Sequence, residues 1–290
     1  MFRNSYGSPG QSYFAIMSSP EPIAHGHLDQ GSFILYKNSI PLVMDSGIEG
    51  YFDSSTSWHI SSYSHACLQF ATRQTAMPEN KSGAINLSAG TYSLERGWVD
   101  VPRNSRVLDV KLSEEADSIT IEINNPEEQG KHIRHVTYVK QADLYVIRDT
   151  VENFTGLVQF NLLVAAQRTE AEGSRLLSEG VYGVDLETIF LCPVQSIQVE
   201  KGRSTPFFDS GDTDKDVSLM DYIRAVADAK DGFLTILYPK ERGQRKLQVK
   251  TDQAGSISLQ AGDHCYRLEI SSERYGVKLY QTVHQGEGKQ

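Results

Sequence analysis

Cysteine is scarce in this chain: Cys67, Cys192 and Cys265 are the only three in 290 residues, an odd count with no short spacing. That points to neither a disulfide framework nor a cysteine-based zinc site, and each is expected as a small buried hydrophobe. No run of about 18 apolar residues occurs, so no segment is expected to span a membrane as a helix. The opening Met1-Phe2-Arg3-Asn4-Ser5-Tyr6 lacks the apolar core of a signal peptide. Basic residues are outnumbered, 28 against 37 acids for a net charge of -9, which argues against nucleic acid as a partner. A polyanionic ligand would need a local basic or metal-bearing cleft. Internal repeats, low-complexity tracts and domain-scale linkers are also absent. Helical periodicity is nearly so: only residues 216–229 could be read as a helix, and their Tyr222-Ile223-Arg224-Ala225-Val226-Ala227 centre is equally strand-like.

What the chain does have is β signal. Hydrophobic residues make up 39%, with 14 tyrosines and 11 phenylalanines, enough for a large core. Strand-like runs recur at short intervals between Gly, Asn or Pro. Ile119, Ile121 and Ile123 alternate with Thr120 and Glu122. Ile133, His135 and Thr137 likewise alternate with Arg134, Val136 and Tyr138. Residues 106–112, 144–151, 157–164, 188–192, 233–239 and 266–270 continue the series. The expectation is all-β: one large antiparallel two-sheet β-sandwich, a single domain over residues 1–290. His132, His135, His264 and His284 are expected as core, surface or tail residues.

The chemistry concentrates in residues 25–65. His25-Gly26-His27 precedes a strand-like run at 33–37, then Asn38-Ser39 as a turn, then Ile40-Pro41-Leu42-Val43-Met44-Asp45. A hairpin of this kind brings Asp45 back beside His27. His65 follows a Ser/Thr-rich excursion. Two imidazoles and a carboxylate from three places, His27, Asp45 and His65, suit a mononuclear metal site with room for water. The alternative is a pair of solvated or structural histidines, since any surface strand can carry two on one face. Residues 50–64 carry Tyr51, Phe52, Trp58, His59 and Tyr63. Such aromatics either form a wall on which sugar rings stack, with Tyr51 and Trp58 the best candidates, or anchor the loop in the core edge.

His25-Gly26-His27-Leu28-Asp29-Gln30-Gly31-Ser32-Phe33, then residues 40–47, Tyr51, Trp58 and Ser64-His65, resemble the start of the C-terminal β-domain of the heparinase II/III-like polysaccharide lyases. The likeness is sharp over residues 3–70 and diffuse to about residue 239. It implies cleavage of uronate-containing polysaccharides of the heparin, heparan or alginate kind by β-elimination. It assigns His25 to the catalytic cleft, His27, Asp45 and His65 to a metal ion, typically zinc, and Tyr51 to the substrate side, with Tyr63 as its stand-in. The substrate-binding set is thus Trp58 and Tyr63. Two departures stand out. The family's His-Asn-Thr is here His65-Ala66-Cys67, which removes one expected hydrogen bond behind the metal. Nothing resembles the family's N-terminal helical toroid, so activity is expected to require that toroid as a partner domain or chain.

Two other readings compete. One is a non-catalytic glycan-binding sandwich with a structural metal. The other is a cupin-type metalloenzyme, against which stands the lack of a Glu shortly after His27. The expected partners are an acidic polysaccharide and the toroid, with no nucleic acid and no membrane. The compartment is periplasmic or extracellular if the chain belongs to a longer lyase, and cytoplasmic if it stands alone.

Overall fold

A computed structural model describes residues 1–4, 10–20, 27–47, 59, 61–71, 92–93, 98–100, 104–125, 130–204, 218–252, 256–270 and 276–282. In chain order the first strands are β1 (Phe2–Arg3), β2 (Ser12–Ile16), β3 (Phe33–Lys37), β4 (Ile40–Val43), β5 (Leu68–Ala71), β6 (Tyr92–Ser93) and β7 (Trp98–Asp100). Next come β8 (Asn104–Leu112), β9 (Ala116–Asn125), β10 (Gly130–Val139), β11 (Leu144–Glu152), β12 (Leu157–Val164), β13 (Ala166–Glu172), β14 (Arg175–Gly180) and β15 (Val184–Phe190). The last are β16 (Ser196–Ser204), β17 (Ser218–Asp228), β18 (Phe233–Glu241), β19 (Gln248–Thr251), β20 (Ile257–Ala261), β21 (His264–Ile270) and β22 (Val277–Thr282). Among the described elements the helical one is a 3-10 turn, Ser62–Ser64. No described helix is long and apolar enough to cross a membrane.

The first sheet runs β1-β2-β3-β4-β12-β5-β7-β6, with β17 on the other edge of β12 and β16 outside it. The second runs β13-β14-β15-β18-β11-β10-β9-β8. Between them lies the main core, where Phe14, Leu35, Phe70, Phe160 and Ile223 of the first sheet meet Val136, Tyr138, Tyr145, Ile147, Phe233 and Leu237 of the second. This is the expected sandwich. The sequence reading did not separate a third layer from it. The four-stranded sheet β19-β20-β21-β22 covers the outer face of the second sheet, packing Leu259, Tyr266, Leu268 and Val277 on Val146, Leu234, Ile236 and Tyr238. That is why β18 is buried on both faces along all but its last residue. A continuous apolar run, rather than alternation, is what a strand sandwiched on both sides requires.

The ambiguous segment around residue 222 is strand β17. Ile223, Ala225 and Ala227 face the main core, while Tyr222 and Val226 join a separate cluster with Tyr63 and Leu163. The β3–β4 connection is a two-residue turn with positive φ at Asn38 (54°) and Ser39 (64°), the geometry that matches the twist of the paired strands.

His132 and His135 are both core residues of β10. His135 lies with Nδ1 2.8 Å from the Thr120 hydroxyl and Nε2 3.0 Å from that of Thr137, a pairing that suits a neutral ring. Burial, with the charges of Lys111 and Arg148 added, pushes its pKa down to about 4. In the unfolded chain it returns to about 6.5, so the unfolded state binds the extra proton between these values. Stability should therefore fall as pH drops through that window. Urea unfolding at pH 7 and pH 5 should show the parent chain losing about 2 kcal/mol more than His135→Gln; equal losses would mean that the ring is not held neutral.

Candidate metal centre

The site is made by a strand edge shared between two partners. One edge of β12 pairs with β5 through Leu157–Phe160 and with β4 at Val164. Between them, the N–H of Met44 donates to the Leu163 carbonyl (3.0 Å) and that of Asn161 to the Cys67 carbonyl (3.0 Å). The chain leaving β4 and the chain entering β5 thus meet at the same point on β12. Asp45 stands just after the first and His65 just before the second, so the pairing itself brings them together.

His27 reaches them from a third segment. It lies in irregular backbone ahead of β3. Several bonds fix this segment. Gly31 N–H donates to the Met17 carbonyl (3.1 Å), Ser32 N–H to that of Asp29 (2.8 Å), and the buried Gln30 amide oxygen accepts from Ser19 N–H (2.8 Å) and the Ser105 hydroxyl (2.6 Å). Gly31 has φ +81°, and a Cβ there would lie 2.8 Å from the Ile123 side chain, so only glycine makes this turn without displacing the core.

His27, Asp45 and His65 each offer a ligand atom, all within 4.8 Å of one another. His65 is the centre of the group and is fully buried. Its Nε2 lies 3.2 Å from His27 Nδ1 and 3.0 Å from the His59 carbonyl; its Nδ1 lies 3.0 Å from Asp45 Oδ2. A carboxylate, a carbonyl and a second imidazole therefore surround one ring. Burial alone would lower the His65 pKa, but the hydrogen bond and charge of Asp45 outweigh it and raise the pKa above the ordinary value. Burial likewise works to raise Asp45, yet His65, the Gly47 N–H (2.8 Å from Oδ1) and His27 bring it down to about 2. His27 moves the other way, lowered by burial and by His65.

These surroundings favour a positive charge among the three side chains, carried by a proton or by a metal ion. Ligands at about 2.1 Å around a tetrahedral ion stand about 3.4 Å apart, close to the His27–His65 spacing. Two imidazoles and a carboxylate are a donor set that could hold a metal ion, but Asp45 faces His65 Nδ1 and His27 faces Nε2, so a shared ion would require the Asp45 or His65 side chain to turn.

His25, Tyr51 and Trp58 lie outside the described residues. Tyr63 does not form a wall: its side chain is fully buried in the 3-10 turn and packs with Leu163, Tyr222 and Val226. It serves as a core anchor, because residues 62–64 fold inward over the outer face of β12. Residues outside the expected ligand set also shape the site. His59 Nδ1 lies 3.0 Å from the Ser46 hydroxyl, and the Ser64 hydroxyl donates to the His59 carbonyl (3.3 Å). Asp29 is half-buried, its pKa raised by burial, near enough to feel both His65 and His27. The departure at Ala66-Cys67 leaves the His65 ring held by Asp45 and the His59 carbonyl.

Residues 2–176 match the family model described as heparinase II/III-like, C-terminal, which is more than half of the chain. The chain belongs to that family. Solved structures with a similar fold include the heparan sulfate lyase HepC from Pedobacter heparinus (TM-score 0.66, 14% identity) and the heparinase III BT4657 gene product (TM-score 0.67, 17% identity). Each covers 97% of this chain, and the chain spans 40% of each. At such identities the likeness is one of fold. No curated protein matches the chain.

Replacing His65 by alanine should abolish tight binding of a zinc-sized ion. In the parent chain a ligand at a hundred times its Kd adds about 2.7 kcal/mol of stability. Chelation should therefore lower the melting temperature of the parent and leave that of His65→Ala unmoved. Unchanged metal stoichiometry in the variant would remove His65 from the ligand set.

Proposed function

We propose that this chain is the β-domain of a polysaccharide lyase that cleaves uronate-containing glycans by β-elimination and acts together with a helical toroid domain or chain. The observation that carries the reading is the convergence of His27, Asp45 and His65 in a member of the heparinase II/III-like family.

The reaction makes three demands. The uronate carboxylate must be neutralised so that the C5 proton becomes acidic, a base must take that proton, and an acid must protonate the leaving glycosidic oxygen. On this reading His25 faces the cleft, with Tyr51 on the substrate side and Trp58 as a stacking surface for sugar rings. A positive charge nearby favours the neutral imidazole of His25, which suits a base or a hydrogen-bond donor to the uronate. His27, Asp45 and His65 would hold the ion, which when bound supplies a fixed positive charge. The toroid would bring the remaining tyrosine and the group that neutralises the carboxylate, as the family resemblance implies.

A second reading is a glycan-binding module whose ion is structural. It is favoured by the full burial of His65 among protein acceptors. Absorbance of unsaturated uronate ends separates the two, since only a lyase produces them. In the toroid-containing assembly, His25→Ala should keep metal and fold while turnover is lost. His27→Ala should lose metal, stability and turnover together. Release of metal by His25→Ala as readily as by His27→Ala would make His25 a ligand and overturn its cleft role.

A further inference from the structure

We infer that Arg134 is the positioning residue of the metal centre: its buried guanidinium fixes, through the carbonyls of Gly31 and Ala66, the separation of the segments that carry His27 and His65. The inference rests on the metal-centre reading above.

Arg134 sits in the middle of β10 and is fully buried between the rings of Phe33 and Phe160, 5.5 and 5.4 Å from their centroids. Its Nε and Nη2 donate to the two oxygens of Asp149 on β11, at 2.7 and 3.1 Å. Asp149 also lies 2.6 Å from His132 Nε2, so the carboxylate is itself held in place. Nη1 points the other way and uses its two hydrogens on two different loops, donating to the Gly31 carbonyl at 2.5 Å and the Ala66 carbonyl at 2.7 Å.

Those two carbonyls are not incidental. Ala66 is the peptide neighbour of His65, and Gly31 lies inside the turn that Ser32 N–H closes on the Asp29 carbonyl, two residues after His27. Two oxygens bound to one nitrogen are held within about 5 Å of each other by hydrogen-bond geometry alone. A single cation on the second sheet thereby sets the spacing of two ligand segments attached to the first. Lysine cannot do the same, because a point ammonium lacks the planar fork that meets Asp149 on one side and two carbonyls on the other. Stability does not call for this arrangement, since apolar residues of similar volume often replace a buried ion pair without loss.

The test uses the full chain with two kinds of variant. Arg134→Lys keeps a buried cation against Asp149. Arg134→Met with Asp149→Asn removes both charges and leaves His132 an acceptor. In both, Zn2+ affinity measured by titration calorimetry should fall at least about tenfold, the size seen when groups behind metal ligands are lost. The visible spectrum of the Co2+-loaded protein should change as well. Val136→Ala, a cavity on the same face of β10, should lower the melting temperature with affinity and spectrum unchanged. In metal-free protein, the buried His65 imidazole N–H proton should be visible by NMR in the parent and lost in both Arg134 variants. Variants that bind Zn2+ as the parent does and keep that proton signal would overturn the inference. If the parent itself takes up neither Zn2+ nor Co2+, the metal reading falls, and the proton signal alone decides the role of Arg134.

Discussion

A guanidinium with no access to water holds the two large sheets and the site loops in one arrangement. Taking Arg134 out of water costs several kcal/mol, and hydrogen bonds from all three of its nitrogens offset that. Asp149 answers on one side, and burial would raise its carboxyl were it not for the charges of Arg134 and His132, which bring it down to about 2. The carbonyls of Gly31 and Ala66 answer on the other. Cation and carboxylate belong to β10 and β11 of the second sheet, whereas the carbonyls belong to loops of the first. The main core cannot shift its sheets against each other without leaving a buried charge short of partners.

Strand β12 supplies the complementary constraint. Its edge is long enough for two partners, and the 3-10 turn Ser62–Ser64 lies against its outer face. Beneath that turn lies a buried amide network. Asn161 donates to the Gln69 amide oxygen (2.7 Å) and the Ser62 carbonyl (3.3 Å), and the Gln159 amide donates to the Asn161 oxygen (2.6 Å). Buried polar networks of this kind specify one arrangement because each unmet donor or acceptor is costly. The 3-10 turn before His65 is therefore fixed from below by β12 and at Ala66 by Arg134.

The third sheet changes what the second one is. With Leu259, Tyr266 and Leu268 laid on its outer face, the second sheet becomes an interior layer and can bury polar groups on both sides, Arg134 on one and His135 on the other. The candidate centre belongs to the opposite side of the molecule, at the first sheet and its loops. Functional groups in such a fold sit where strands end or part, since a fully paired and covered sheet offers no backbone free to bend toward a ligand.

The all-β class, the positions of β9, β10 and β11, the Asn38-Ser39 turn and the candidate ligands His27, Asp45 and His65 were legible because period-two alternation, turn chemistry and ligand type are local properties of the sequence. The third layer left a trace in the unbroken apolar run of β18, and Arg134 left one as a cation on the same face as Val136 and Tyr138. Neither trace names its partner. The tertiary structure alone decided that β12 shares its edge between β4 and β5, that Tyr63 turns inward, that the His27 segment comes beside His65 and that Arg134 reaches Gly31 and Ala66. Each depends on contacts between segments far apart in the chain, where the choice among many compatible pairings is made by burial and hydrogen-bond satisfaction over the whole core.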